Sequence, residues 1–296
     1  MKIVVSGSTG LIGTALIKAL AQRGDDVVPL VRRAVRPGER AVVWDPARGT
    51  IDRAALEGTD VVIHLAGENV FGRWSAAKKQ RIRDSRVQGT QLISETLATL
   101  QRRPATLLAA SAIGYYGDRG DESLTEESGG GDDFLAKVSR DWEAATEVAA
   151  RAGIRVVNMR TGVVLTTTGG ALGMMLPPFR LGLGGWVGSG DQYVSWIALD
   201  DIINAMLLLL DRSDISGPVN LTAPAPVTNR ELANAVGKVL GRPVLVPVPG
   251  FALSLAFGSE GADMLLSGQR VLPARLRSAG FHFAFETVEP ALRSLL

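Results

Sequence analysis

The chain has no cysteine and only two histidines, and these scarcities exclude two kinds of site. Without cysteine it forms neither a disulfide framework nor a thiolate metal site. His64 and His282 alone do not supply a histidine-rich metal centre, so we predict that the protein holds no metal.

Excess charge and long apolar runs are scarce as well. The 32 basic and 30 acidic side chains leave a net charge of +2, which does not favour nucleic acid as a partner. The longest later apolar run, 205–210, is too short to span a bilayer, and glycine interrupts the N-terminal run too early for a signal peptide. We therefore expect a cytoplasmic protein with no membrane partner.

What is present is typical of a globular protein. Apolar residues make up 46% of the 296 positions and charged residues 21%, as in ordinary folded domains. A chain of this length exceeds the usual size of a single core, so we expect one large domain and a smaller lobe.

The first turn of the chain is its most informative stretch. A short β-branched run, Lys2–Ser6, leads directly into a glycine-rich turn and then into an apolar helical pattern. Dinucleotide-binding βα turns need this order. Their glycines permit a tight turn, close approach of a pyrophosphate and close helix packing, and the helix N-terminus favours phosphate. We predict cofactor contacts at Gly7, Thr9, Gly10, Leu11, Ile12 and Gly13.

Two arginines after the second predicted strand indicate which dinucleotide binds. An NAD site usually has an acidic residue at this point, whereas Arg32 and Arg33 offer guanidinium groups suited to a 2′-phosphate. We therefore predict NADP(H). The alternative is that both arginines are solvated surface charge.

A nearly continuous apolar run, 60–67, predicts a central parallel strand. Its end, at Leu65, Ala66 and Gly67, would lie at the carboxyl edge of the sheet, where ligands bind in open α/β folds. Small residues there let a dinucleotide pass close to the backbone. We interpret His64 as a packed residue, in preference to a catalytic one.

Six βα-like units in about 160 residues predict an α/β fold with a Rossmann-type, doubly wound parallel sheet. The predicted strands are 2–6, 27–31, 41–44, 60–67, 105–111 and 155–160. The pattern changes past residue 165, which predicts a small, discontinuous C-terminal substrate lobe. We assign 1–165 and about 191–215 to the Rossmann domain, and 166–190 and about 216–296 to the lobe.

Eight sequence strings lie between residue 6 and about residue 273: SGSTGLIG, HLAGENV, SRVQGT, SAIGYYG, RTGVVLTTTGGAL, PFRLGLGG, SWIALDDI and LLSGQRVLP. Together they resemble the extended short-chain dehydrogenase/reductases, and in particular their atypical NAD(P)-dependent epimerase/dehydratase-like branch, sometimes mislabelled as cell-division inhibitors. The resemblance implies a Rossmann-type domain, NADP(H) binding and a small C-terminal substrate lobe.

The resemblance also adds two candidate cofactor ligands. Arg86 falls where relatives often have an asparagine close to the cofactor, which implies a phosphate or ribose ligand. Arg160, at the end of the sixth strand, falls near the nicotinamide side. For Arg160 a salt bridge at the strand end is the alternative.

The expected catalytic motif is missing. The superfamily resemblance implies a Ser/Thr, a Tyr and a Lys, the last two in a YxxxK helix where lysine lowers the pKa of the tyrosine. None of Tyr115, Tyr116 and Tyr193 has lysine four residues later.

In the helix where the motif belongs, Lys137 would pair with Asp133. A register anchored on Glu143 gives Leu135 and Ser139 instead, so the tyrosine is absent in either register.

The serine of the motif is displaced too. An ungapped alignment puts Ala112 at the usual Ser/Thr position, with Ser111 one residue earlier. We take Ser111 and Tyr115 as the candidate catalytic residues, because both lie at the carboxyl edge of the predicted sheet. Tyr116 is a further candidate, and the alternative for both rings is packing against the pocket or under the loop. A tyrosine without a lysine neighbour is a poor base but can still donate a proton.

Two functions stay open. The first is an NADP(H)-dependent oxidoreductase or epimerase-like enzyme acting on a small carbonyl, sugar or quinone-like molecule. The second is a non-catalytic NADP(H)-binding redox sensor, which the missing motif favours. The retained lobe, with a glycine-rich lid at 182–190 and aromatic residues at 193–196, favours the enzyme. The predicted helices at 75–100 and 134–149 resemble helices that pair in homodimers of relatives.

Overall fold

The computed structural model describes residues 1–36, 38–245 and 247–296, without the side chains of Ala252 and Ala256. Its strands are β1 Lys2–Ser6, β2 Asp26–Val31, β3 Val42–Asp45, β4 Thr50–Ile51, β5 Val61–His64, β6 Thr106–Ala112, β7 Ser123–Leu124, β8 Arg155–Thr161, β9 Val163–Leu165, β10 Tyr193–Val194, β11 Trp196–Ala198, β12 Gly217–Leu221, β13 Val227–Thr228 and β14 Arg270–Val271.

The helices are α1 Leu11–Gln22, α2 Arg53–Leu56, α3 Ala76–Ala98, α4 Phe134–Ala144, α5 Glu147–Arg151, α6 Gly170–Arg180, α7 Leu199–Asp211, α8 Asn229–Leu240, α9 Gly250–Phe257, α10 Ser259–Leu266, α11 Ala274–Ser278 and α12 Val288–Leu295. A 3-10 turn, Ile113–Tyr116, follows β6 directly. Within the described residues, no helix combines the length and the apolar character needed to cross a membrane.

The central sheet confirms the predicted fold class. In the described residues it has eight strands in the order β12-β8-β6-β5-β1-β2-β3-β4, and all but the last pair run parallel. The strand order reverses between β1 and β5, so the ends of β1 and β5 meet at the position where open α/β sheets bind ligands.

Apolar side chains that alternate in direction along the strands pack on both faces of the sheet. Ile3 and Val5 of β1 pack toward α1 and α7, while Val4 between them packs toward the other face with α3 and α5. Burial on both sides explains why these strands are almost wholly apolar in sequence.

The predicted helix at 134–149 is two helices, α4 and α5. The Thr146 hydroxyl donates to the carbonyl oxygen of Glu143 over 2.6 Å. A side-chain bond of this kind competes with the continuing helical ladder. The break leaves Glu143 in the last turn of α4, above the sheet.

Strand β12 extends the central sheet past the predicted boundary at about 215. It pairs with β8, and its outer edge is covered by residues from outside the sheet. Glu126 accepts the backbone N–H of Asn220 over 2.9 Å, and Arg275 donates to the carbonyl oxygen of Pro218 over 3.0 Å. The edge therefore offers few free groups for pairing with another strand.

A separate apolar cluster lies outside the two faces of the central sheet. Leu172 and Leu176 of α6 pack there with Trp196, Leu232 and Leu292. Strand β14 returns to the first domain by pairing in parallel with β7.

Candidate functional site

The turn after β1 brings backbone against backbone at the carboxyl edge of the sheet. Gly7 has a φ of +68°, and a Cβ placed on it would lie 2.8 Å from the carbonyl carbon of Leu65. A Cβ on Gly13 would lie 2.9 Å from the carbonyl carbon of Gly7. Only glycine fits at both positions, so the residue types required by the predicted cofactor turn follow from geometry.

Ser6 locks this turn to the end of β5. Its Oγ accepts the N–H groups of Leu65 at 3.0 Å and Ala66 at 3.2 Å and also forms a hydrogen bond with His64 Nδ1 at 2.6 Å. Burial lowers the pKa of His64 to about 4. His64 is fully buried and neutral at physiological pH, as a packed residue would be.

The N-terminus of α1 faces the same edge without a side-chain cap in the described structure. Gly10 at the N-cap position has no side chain to accept the first N–H groups, and no acidic residue lies in the first turn. The helix dipole and its unpaired N–H groups favour an anion at this point.

Arg32 and Arg33 both lie exposed just after β2. Arg33 is paired with Glu39 through both terminal nitrogens, and this bond lowers the pKa of Glu39 to about 2. Of the two arginines, Arg33 therefore has its guanidinium held by Glu39.

Arg86 lies against the end of β5. Its guanidinium would be 3.4 Å from a Cβ on Gly67 and donates to the carbonyl oxygens of Glu68 and Ile82, at 3.0 and 3.1 Å. It also stacks over Trp142 at 5.1 Å. Burial lowers its pKa to about 10, against the opposing effect of the Glu68 charge. The structure therefore holds a desolvated cation beside the predicted cofactor edge.

A buried charge network occupies the ends of β6 and β8. Arg160, 3% exposed, donates to both carboxylate oxygens of Glu143 at 2.8 Å. Ser111 donates to Glu143 Oε1 over 2.6 Å. Burial lowers the pKa of Arg160, but the Glu143 carboxylate outweighs it and the net change is upward. The guanidinium of Arg160 therefore stays charged.

The two tyrosines extend this network differently. The Tyr116 hydroxyl accepts from Arg160 at 3.0 Å and donates to Asn220 Oδ1 at 2.7 Å. Burial raises the pKa of Tyr116, so its proton stays on the phenol. The Tyr115 ring stacks on Arg160, with the guanidinium carbon 3.5 Å from the ring centroid.

A cleft of about 790 Å³ adjoins the network and is lined by Tyr115, Glu143 and Arg155 among others. Another of about 370 Å³ lies between Asn69 and Phe71 after β5 and the segment 167–174 at the start of α6.

The structure thus groups the sequence candidates in two sets. Gly7, Gly13 and Arg86 lie with Leu65–Gly67 at the β1–β5 edge, and Ser111, Tyr115 and Arg160 share the network at β6 and β8. Arg160 forms a salt bridge with Glu143, as the alternative interpretation of this residue predicted.

Sequence reasoning missed Glu143 and Asn220 as partners in the network. The signal available for Glu143 was Arg160 at the end of a central strand, since a buried guanidinium needs a carboxylate. No local pattern pointed to Asn220.

Comparison with known proteins shows which family the chain resembles. The family described as "NAD dependent epimerase/dehydratase family" matches residues 3–221, and a domain of unknown function, DUF1731, matches residues 248–295. An epimerase family protein of Mycobacterium bovis is 44% identical over 291 residues, covering 98% of this chain and 96% of the relative.

Solved structures give the same result. The crystal structure of the human epimerase family protein SDR39U1 with NADPH has a TM-score of 0.91 at 35% identity, covering 100% of this chain and 99% of that one. The UDP-N-acetylglucosamine 4-epimerase of Bacillus cereus shares the fold alone, with a TM-score of 0.76 at 17% identity over 100% of this chain and 98% of that one. The chain therefore belongs to the NAD dependent epimerase/dehydratase family.

Proposed function

We propose that the protein is an NADP(H)-dependent oxidoreductase or epimerase-like enzyme acting on a small carbonyl, sugar or quinone-like molecule. The observation that carries this proposal is the glycine turn at the β1–β5 edge, where Gly7 and Gly13 leave room only for backbone. The human relative whose structure contains NADPH supports the choice of cofactor.

The residues at this edge fit a phosphorylated dinucleotide. The uncapped N-terminus of α1 would hold the pyrophosphate. The cation of Arg86, which has only carbonyl and aromatic partners, would bind phosphate or ribose. Arg32 would bind the 2′-phosphate. A bound nicotinamide dinucleotide supplies hydride transfer, and the protein supplies orientation and proton movement.

Proton movement falls to the groups at the ends of β6 and β8. The Ser111 hydroxyl already donates to Glu143, so Ser111 can accept a proton from a substrate hydroxyl only while passing its own proton to that carboxylate. In the reducing direction the half-buried phenol of Tyr115 is the available donor. Tyr116 is committed to Asn220 and Arg160 and serves to hold Arg160 in place.

The test is a titration with NADPH and NADH, followed by single-turnover oxidation of bound NADPH with a panel of carbonyls, quinones and nucleotide-sugar ketones. We expect NADPH to bind at least about tenfold tighter than NADH, and oxidation to fall in Ser111→Ala or Tyr115→Phe but not in the exposed-serine control Ser123→Ala. Equal affinity for the two dinucleotides would contradict the cofactor assignment.

A sensor is the second candidate, and one observation favours it. The Ser111 hydroxyl is buried and bound to Glu143, and Ala112 stands at the usual position of the catalytic hydroxyl. For a sensor, NADPH and NADP⁺ would produce different protease-cleavage patterns in the lid at 182–190, and no panel compound would oxidise the bound NADPH.

A further inference from the structure

Arg270 differs from every other poorly exposed arginine in the described part of the chain. It is half-buried, its Nε is shut off from solvent without a hydrogen-bond partner, and neither terminal nitrogen bonds to a described residue. The other arginines that are buried or half-buried all donate to oxygen atoms: Arg86, Arg119, Arg140, Arg155, Arg160 and Arg212. Moving a guanidinium partly out of water without a partner costs free energy, so this position needs an anion or water to compensate it.

The surroundings of Arg270 are fixed by Ser195. The Ser195 hydroxyl donates to the carbonyl oxygen of Gln269 at 2.7 Å and accepts the N–H of Val271 at 2.8 Å, on either side of Arg270. The same segment approaches the end of β8, since a Cβ on Gly162 would lie 2.5 Å from the carbonyl oxygen of Ser195. Arg270 is therefore held in the lobe close to the strand end that carries Arg160.

The direction of the side chain follows from the strand. Val271 packs with Ile113 and Tyr116 beyond the end of β6. Neighbouring residues of a strand point to opposite sides, so Arg270 points away from that cluster. Its guanidinium carbon lies 5.2 Å from the centroid of the Tyr193 ring, whose π face attracts the cation but takes up none of its N–H groups in a hydrogen bond.

We propose that Arg270, with the Tyr193 ring beside it, binds an anionic group of the substrate, either a carboxylate or a phosphate. A free guanidinium fork matches both groups through paired hydrogen bonds. This assigns a ligand-binding role to the C-terminal segment, 248–295, which matches a domain of unknown function. The proposal rests on the proposed function, because it places the anion on the molecule that the enzyme acts on.

The experiment uses the full chain saturated with NADPH, so that the anion sites of the cofactor are filled. Calorimetric titrations with inorganic phosphate, pyrophosphate and malonate compare the protein with Arg270→Ala and Arg270→Lys. The control is Arg230→Ala, which removes an exposed arginine of the same lobe that stacks on Trp186. Circular dichroism checks that each variant is folded.

We expect at least one anion to bind, Arg270→Ala to weaken its binding at least about tenfold, and Arg270→Lys to retain part of it. The control should bind as the parent does. Stronger binding of malonate than of the phosphates would identify a carboxylate, and the reverse order a phosphate. No anion binding by the parent at 100 mM, or equal binding by the parent and Arg270→Ala, would overturn the proposal.

A failure of the proposed function can be distinguished from a failure of the anion proposal. The NADPH dissociation constant, measured first by itself, should be the same in the parent and in all three variants. Without NADPH binding the titrations are run on the free protein, where the difference between Arg270→Ala and Arg230→Ala still decides the anion proposal. If Arg270→Ala does not fold, Arg270→Gln, which keeps length and polarity but removes the charge, replaces it.

Discussion

The two halves of the carboxyl edge are built in opposite ways. At β1 and β5 the site is made of backbone, with Gly7 and Gly13 in contact with main-chain atoms and a neutral His64 beneath them. At β6 and β8 it is made of side chains, with the buried guanidinium of Arg160 paired to the partly exposed carboxylate of Glu143. The first half depends on glycines that have no side chain. The second half depends on a guanidinium and a carboxylate that pair with each other.

This difference determines how each half responds to change. A backbone site tolerates no added atom, whereas a buried ion pair fails when either partner is removed. Four predictions test this contrast, in descending order of expected effect.

Removal of Glu143 should have the largest effect. Glu143→Ala leaves Arg160 buried without its carboxylate, and we expect the free energy of unfolding to fall by about 3–5 kcal/mol in urea titrations. The control is Glu147→Ala, which breaks an exposed pair with Arg151 at 3.8 Å and should cost less than about 0.5 kcal/mol. Similar losses in both variants would mean that the network at β6 and β8 is no more sensitive than the surface.

Acid should destabilise the backbone half through His64. Its pKa is lowered in the folded protein from 6.5 to about 4, so the unfolded state binds more protons between these values. This stability is fully present above pH 6.5 and is lost as the pH falls toward 4, amounting to about 3 kcal/mol at 1.36 kcal/mol per unit. The measurement is urea unfolding at pH 7 and pH 4.5 for the parent and His64→Asn.

The variant should show a smaller loss between the two pH values than the parent. His282→Gln removes the other, exposed histidine and should behave as the parent does. An unchanged pH dependence in His64→Asn would remove the contrast between a neutral and a charged half.

A single methyl group should disable the cofactor turn. Gly13→Ala places a Cβ against the backbone of Gly7, and we expect NADPH affinity to fall about 100-fold, or about 2.7 kcal/mol, by fluorescence titration. Gly129→Ala is the control, because a Cβ at Gly129 meets nothing within 4 Å in the described structure. Unchanged affinity in Gly13→Ala would show that the turn relaxes more easily than a backbone site should.

The smallest effect should come from the exposed rim of the backbone half. Arg32→Ala should weaken NADPH binding about tenfold, or about 1.4 kcal/mol, and leave NADH binding unchanged, because only NADPH has a 2′-phosphate. Arg48→Ala, at an exposed arginine paired with Asp45, should change neither affinity. Equal weakening of both dinucleotides by Arg32→Ala would point to the general positive charge of the surface.

The same contrast explains which features of the fold and of the site could be predicted from the sequence. Order and spacing predicted the parallel sheet and the turn at Gly7–Gly13, because backbone geometry restricts which residue types can occupy these positions. The network at β6 and β8 has no comparable local sequence pattern. Ser111 and Glu143 are 32 positions apart, and Tyr116 meets Asn220 across 104, so only the fold brings these side chains together.

Local sequence patterns also did not predict where some helices end or where short strands pair. The break at Thr146 depends on one side-chain hydrogen bond inside an otherwise helical sequence. Strand β12 pairs with β8 and has Glu126 and Arg275 against its outer edge, which no pattern near residue 217 reveals. Arg270 is similar, since its lack of a partner is visible only when its neighbours are known.

The cover on β12 has a consequence during synthesis of the chain. Strand β12 ends at Leu221, and the guanidinium that covers its edge belongs to Arg275, 54 positions later. At a translation rate of about 5–20 residues per second, Glu126 is the partner already present and the nascent sheet lacks the cover of Arg275 for about 3–11 s. Pro218, which has no N–H to offer a neighbouring chain, limits unwanted strand pairing during that interval.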